Sequence, residues 1–138
     1  MNEVDFRQAS FEDRKDYILR PYDEVPITKL VEGSDSHLVF GQNLLVSFLI
    51  MKAGSVFQLH SHPEEQIMFV IEGYCDEIIG NKIYRVREGD VIHLPMNVLH
   101  GAFVRDVDCK AIDVFSPARS DYARKFREQN SEVELRFT

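Results

Sequence analysis

The chain has no excess of basic residues. Lys and Arg total 16 against 23 Asp and Glu, giving a formal charge of −7. A nucleic-acid binder gains affinity when its cations displace counterions, so no nucleic-acid partner is expected. One or two local arginines still suffice for a small anionic substrate. No apolar run reaches the roughly 20 residues a membrane-spanning helix needs, and no membrane partner is expected. The opening MNEVDFRQASFEDRKDY is polar and acidic, unlike a signal peptide. Cysteine is scarce, and Cys75 and Cys109 form no motif. These absences lead to the expectation of a cytoplasmic protein whose two thiols stay reduced and pack as small apolar groups, with a disulfide as the alternative. Internal repeats and low-complexity tracts are also absent. At 138 residues the chain is sized for one domain with its own core, and its apolar content of 44% is ordinary.

Three segments differ in character. Residues 1–24 form a charged N-terminal arm with weak patterning, in which SFEDRKDYIL could start a short helix with Ser10 as N-cap and Asp13 three residues on. Residues 25–117 carry ten short apolar or alternating runs: PITKLV, HLVFG, LLVSFLIM, SVFQLHSH, QIMFVIEG, YCDEIIG, KIYRVREGD, VIHLP, HGAFV and CKAIDVF. Glycines, Asn81 and Pro95 separate them. Many short strands at this spacing predict an all-β sandwich or barrel. IIGNKIY reads as a hairpin, because Gly80–Asn81 suits a tight turn with positive φ. Residues 118–138 form a helix and tail: SDYARKFREQN places Tyr122 and Phe126 at i, i+4, with Ser120 as a candidate cap. That helix is expected to pack on the outside of the barrel or on a second subunit.

The chemistry concentrates in HSHPEEQ. In a strand, residues i and i+2 point to one face, so His60 and His62 point together. Gln66 shares their parity and returns to that face if a turn at Pro63–Glu65 starts the next strand. Two imidazoles in an apolar strand cost free energy unless they are solvated, hydrogen-bonded or bound to a metal. Downstream, GDVIHLPMNVLHG adds His100 after a turn and a proline.

These residues carry a resemblance to the cupin family. Its first motif is a glycine, five residues, His-x-His, three or four residues, Glu, six residues and a glycine. Here it reads Gly54, SVFQL, His60, Ser61, His62, PEE, Gln66, IMFVIE, Gly73, with Gln in place of Glu. The second motif is a glycine, five residues, Pro-x-Gly, two residues, His, three residues and Asn. Here it reads Gly89, DVIHL, Pro95, Met96, Asn97, VL, His100, GAF, Val104. Asn97 replaces a glycine but tolerates a left-handed turn. The resemblance implies a cupin double-stranded β-helix (jelly-roll) barrel, commonly a homodimer, with one divalent first-row transition metal (Fe, Ni, Mn or Zn) bound by His60, His62, Gln66 and His100. Glu65 or Glu64 is the alternative to Gln66. Three imidazoles and an amide oxygen leave the ion's charge uncompensated, which favours Lewis-acid chemistry and an anionic ligand. His37 and His93 match neither motif and read as surface or hydrogen-bonded histidines. Phe57, Met68, Phe69 and Phe103 read as core, or as pocket lining where they share the histidine face.

The last strand, CKAIDVFSPARSDY, places Asp113 and Phe115 on one face, with Arg119 after a Ser-Pro bend. A carboxylate inside a barrel needs a partner; Arg119 and a bound cation are the candidates. One face would then carry an acid/base group, an aromatic wall and a guanidinium fork for a substrate carboxylate. The plainer reading is a structural Asp113–Arg119 pair closing the barrel end. With the glutamine ligand, this run resembles the small cupins that open unsaturated uronate rings in pectin and alginate breakdown. That resemblance implies catalytic roles for Asp113, Phe115 and Arg119. Three functions stay open: a metal-dependent lyase or isomerase on a small carboxylated sugar derivative, an iron-dependent dioxygenase of a dicarbonyl or phenolic compound, and a non-catalytic small-molecule-binding barrel.

Overall fold

Each of the ten runs becomes a strand in the computed structural model, which describes residues 6–8, 11, 17–134 and 137. They are β1 (Ile27–Lys29), β2 (Ser34–Phe40), β3 (Leu45–Met51), β4 (Val56–His60), β5 (Glu65–Glu72), β6 (Tyr74–Ile79), β7 (Lys82–Arg87), β8 (Val91–Leu94), β9 (His100–Phe103) and β10 (Cys109–Ser116). A short helix α1 (Pro21–Glu24) precedes them and α2 (Ser120–Gln129) follows. The expected helix start at Ser10, with Asp13, lies outside the described residues.

The strands form two antiparallel sheets, ordered β1-β2-β3-β10-β5-β8 and β4-β9-β6-β7. Alternation in β2, β3 and β10 turns every second residue inward. The inward row of β10 runs Cys109, Ala111, Asp113, Phe115, so a carboxylate stands among core residues. Leu49 and Met68 from one sheet and Cys75 and Val86 from the other belong to one hydrophobic core. Both cysteines are buried free thiols.

Close backbone approaches fix two glycines. Gly73 ends the first motif at φ +79°, and a side chain there would collide with the Asp108 carbonyl oxygen. Gly101, in β9, faces the β4 backbone: a Cβ would lie 2.7 Å from the Phe57 carbonyl oxygen. This contact sits beside the irregularity in β4 between Phe57 and His60, after which His60 pairs directly with His100.

Helix α2 packs on the barrel itself. Tyr122 and Phe126 are buried, and Phe126 meets Phe40 edge-to-face at 5.8 Å. The Gln129 side chain accepts the Lys29 N–H (2.7 Å) and donates to the Lys29 carbonyl (2.9 Å), completing the open edge of β1. Ser120 is the first residue of the helix rather than its cap, a position Arg119 takes. The Asp121 carboxylate instead accepts the Tyr122 N–H at 3.0 Å. No helix among the described residues is long and apolar enough to cross a membrane.

Candidate metal centre

Three imidazoles converge at one end of the barrel. His60 closes β4, and His100 opens β9 directly opposite. His62 lies beyond the end of β4, in the segment crossing from one sheet to the other, so the pair is not carried by one strand. The crossing still delivers His62 to the same place, because its carbonyl accepts the Asn97 N–H at 2.9 Å. Asn97 holds the left-handed turn expected of it, at φ 66°. Ring centroids are 5.6 Å apart for His60–His62, 4.3 Å for His60–His100 and 4.8 Å for His62–His100.

The backbone sets how each ring is presented. Nδ1 of His60 donates to the Gln58 carbonyl (2.7 Å), Nδ1 of His62 to the Glu64 carbonyl (3.0 Å) and Nδ1 of His100 to the Val98 carbonyl (2.9 Å). A carbonyl only accepts, so the proton of each neutral ring sits on Nδ1 and Nε2 keeps its lone pair. Burial lowers the pKa of His62, with the Arg119 charge adding to it, and burial lowers that of His100 to about 4. Both rings are neutral at neutral pH. One ligand atom from each of the three histidines lies within 4.8 Å of the others.

Gln66, in β5, joins them. Its Nε2 donates to Oδ1 of Asp113 at 3.0 Å, which turns its Oε1 toward Nε2 of His62 at 3.1 Å. With Nδ1 of His62 as the protonated nitrogen, this contact sets one lone pair against another. A cation between His62 and Gln66 turns the repulsion into coordination, and the neutral nitrogen and oxygen donors suit a first-row divalent metal. The residues present therefore fit such an ion.

The two glutamates lie elsewhere. Glu65 is exposed and accepts from Nε2 of His93 at 2.7 Å. Glu64 is buried on the Nδ1 side of His62, away from Nε2, with Oε1 3.5 Å from Nδ1. His37 meets the Val25 carbonyl at 2.6 Å and takes no part in the site.

Asp113 and Arg119 reach the same cavity but do not pair as the plainer reading expected. Asp113 accepts from Gln66; burial raises its carboxyl to about pKa 6, offset in part by Gln66 and Arg119. Arg119 forks onto Asp121 instead, Nε to Oδ1 at 3.1 Å and Nη2 to Oδ2 at 2.7 Å. Its guanidinium lies over the Tyr122 ring, 3.8 Å from the centroid, and Nη1 stays outside the Asp121 fork. The carboxylate two residues along the chain wins because it is local and leaves Asp113 to the glutamine. Phe115 is 1% exposed and stands behind the site, edge-on to His62 (5.7 Å) and Tyr122 (5.4 Å). Val104, where the second motif has Asn, is a fully buried core residue.

The cavity has a volume of about 30 Å³ and opens to solvent. It is lined by His60, Gln66, His100, Asp113, Arg119 and Glu77, along with Phe57 and Met68. Phe69 and Phe103 are more than a third exposed. Glu77 was not foreseen from the sequence. The available signal was its place between Cys75 and Ile79, a carboxyl on an otherwise apolar strand face.

Two antiparallel sheets with three histidines converging at one end define a small β-barrel protein with a candidate metal site. The cupin domain family matches residues 47–115, and the chain belongs to that family. It is 27% identical over 89 residues to the uncharacterized protein SCO3923 of Streptomyces coelicolor, across 64% of this chain and 85% of that one. Among solved structures, it is similar to an RmlC-like cupin from Shewanella frigidimarina NCIMB 400 (TM-score 0.67, 28% identity, 72% of this chain and 90% of that one). It is similar also to KdgF from Halomonas sp. (TM-score 0.67, 25% identity, 72% and 93%).

Proposed function

We propose that the protein is a metal-dependent lyase or isomerase acting on a small carboxylated sugar derivative of the uronate type. The observation that carries this reading is the joining of both groups at one cavity: the His60–His62–His100–Gln66 donor set beside Arg119 and Asp113. The resemblance of these same residues to the uronate-opening cupins supports it. A divalent first-row ion held by the four donors would supply Lewis-acid polarisation of a substrate oxygen.

The chain's own residues do the rest. Arg119, steadied by Asp121 and the Tyr122 ring, offers Nη1 to the substrate carboxylate. Asp113 exchanges a proton with the substrate; a carboxyl near pKa 6 serves as acid and as base near neutral pH. Phe115 holds His62 and Tyr122 in place from behind. The working unit in this proposal is a cytoplasmic homodimer, since Ile83 on edge strand β7 and Val91 on edge strand β8 expose apolar surface that a second copy would cover.

The test is the loss of the ultraviolet absorbance of an unsaturated uronate, whose C=C–carboxylate conjugation disappears on ring opening. The metal-loaded protein is expected to remove it, and Arg119→Ala to abolish turnover with metal content unchanged. Full activity in Arg119→Ala removes the carboxylate role. Iron-dependent oxygen uptake on a dicarbonyl or phenolic compound, with uronates untouched, replaces this reading with the dioxygenase. Tight retention of a uronate without product replaces it with a binding barrel.

A further inference from the structure

We infer that Glu77 hydrogen-bonds a hydroxyl of the bound ligand and thereby selects hydroxylated ring carboxylates over bare ones. This rests on the carboxylate reading above and extends it to a residue on the opposite wall.

Glu77 lies in β6 of the four-stranded sheet, paired with Ala102 of β9, while Gln66 and Asp113 belong to the six-stranded sheet. The two walls face one cavity, and Glu77 and Asp113 are both among the residues that line it. Glu77 is only 4% exposed, yet its Oε2 has no hydrogen-bond partner. Ser34 Oγ is the other buried side-chain atom in that state among the described residues, and Ser34 does not line the cavity. A buried polar atom without a partner is costly, and such atoms in a native fold mark a place where something else binds. That something is not the metal, because the close group of candidate ligand atoms comprises the three histidines without Glu77.

The chemistry of the carboxyl names the partner. Burial, with the Asp113 charge adding to it, raises the Glu77 pKa well above its usual value. A protonated carboxyl donates through one oxygen and accepts through the other. A hydroxyl does both as well, so a sugar hydroxyl matches it, whereas a second carboxylate would be repelled by Asp113. A ring carboxylate whose acid group meets Arg119, just past the end of the strand that carries Asp113, would turn its hydroxylated edge toward the Glu77 wall.

The experiment measures calorimetric affinities of the metal-loaded protein for two probes, galacturonate and cyclohexanecarboxylate; both carry a carboxylate on a six-membered ring, and only galacturonate carries hydroxyls and a ring oxygen. Wild type is expected to prefer galacturonate. Glu77→Gln, which keeps one donor and one acceptor, should hold that preference within about threefold, and Glu77→Leu should lose at least about tenfold for galacturonate while binding cyclohexanecarboxylate as before. Glu77→Ala is read in the same way if the leucine variant does not fold. Unchanged galacturonate affinity in the leucine or alanine variant, or an equal loss for both probes, overturns the inference and leaves the carboxylate reading standing. Binding of neither probe by wild type overturns the carboxylate reading and this inference with it.

Discussion

Oε1 of Gln66 lies 3.1 Å from Nε2 of His62, and the hydrogen bonds on the far side of each group leave no proton between them. The pair is repulsive on its own and becomes favourable with a cation between the two atoms. Gln66→Leu removes one donor and leaves Asp113 without its hydrogen bond. Metal affinity, measured by chelator competition, is expected to fall by about 10- to 100-fold. An unchanged affinity would place Gln66 outside the coordination sphere.

The approach of β4 to β9 is set by Gly101. Its replacement by alanine would drive a methyl group into the Phe57 carbonyl and part the strands that hold His60 opposite His100. Gly101→Ala is expected to cost about 1–3 kcal/mol in urea denaturation and to weaken metal binding as well. Stability and affinity equal to wild type would mean that the backbone contact does not position the histidines.

Asp121 acts on Arg119 by holding two of its three nitrogens. Asp121→Asn leaves the guanidinium in place but frees it to turn. The KM for the carboxylated substrate is expected to rise about tenfold with kcat little changed, because what is lost is the orientation of a binding group. A fall in kcat at constant KM would give Asp121 a part in the chemistry instead.

Away from the cavity, Arg85 and Arg105 hydrogen-bond the two oxygens of Asp76 and hold its carboxyl down at about pKa 2. An unfolded aspartate titrates near 3.9. The resulting stabilisation is complete above about pH 4 and disappears as the pH falls through about 2, where the folded group also takes up its proton. Melting temperatures of wild type and Asp76→Asn should therefore differ at pH 6 and converge near pH 2. A gap independent of pH would mean that packing, not the charge, is what the variant loses.

Local pattern made much of this legible. Alternation and turn residues located all ten strands, and the two motifs named the three histidines that converge. Three features depended on contacts that no local pattern contains. His62 sits in a crossover between sheets, so its agreement with His60 comes from the Asn97–His62 backbone hydrogen bond and not from strand parity. Arg119 turns to Asp121, a choice decided by the start of α2 where the chain leaves the barrel. Glu77 is surrounded by residues from both sheets, and its burial exists only once they close over it.

The metal content of the purified protein, before and after exposure to Mn, Fe, Ni and Zn salts, tests the central claim most directly, with a His60→Ala/His62→Ala/His100→Ala variant as control. The account predicts about one first-row ion per chain in wild type and none in the folded control. No uptake by wild type, or equal uptake by both, would contradict it.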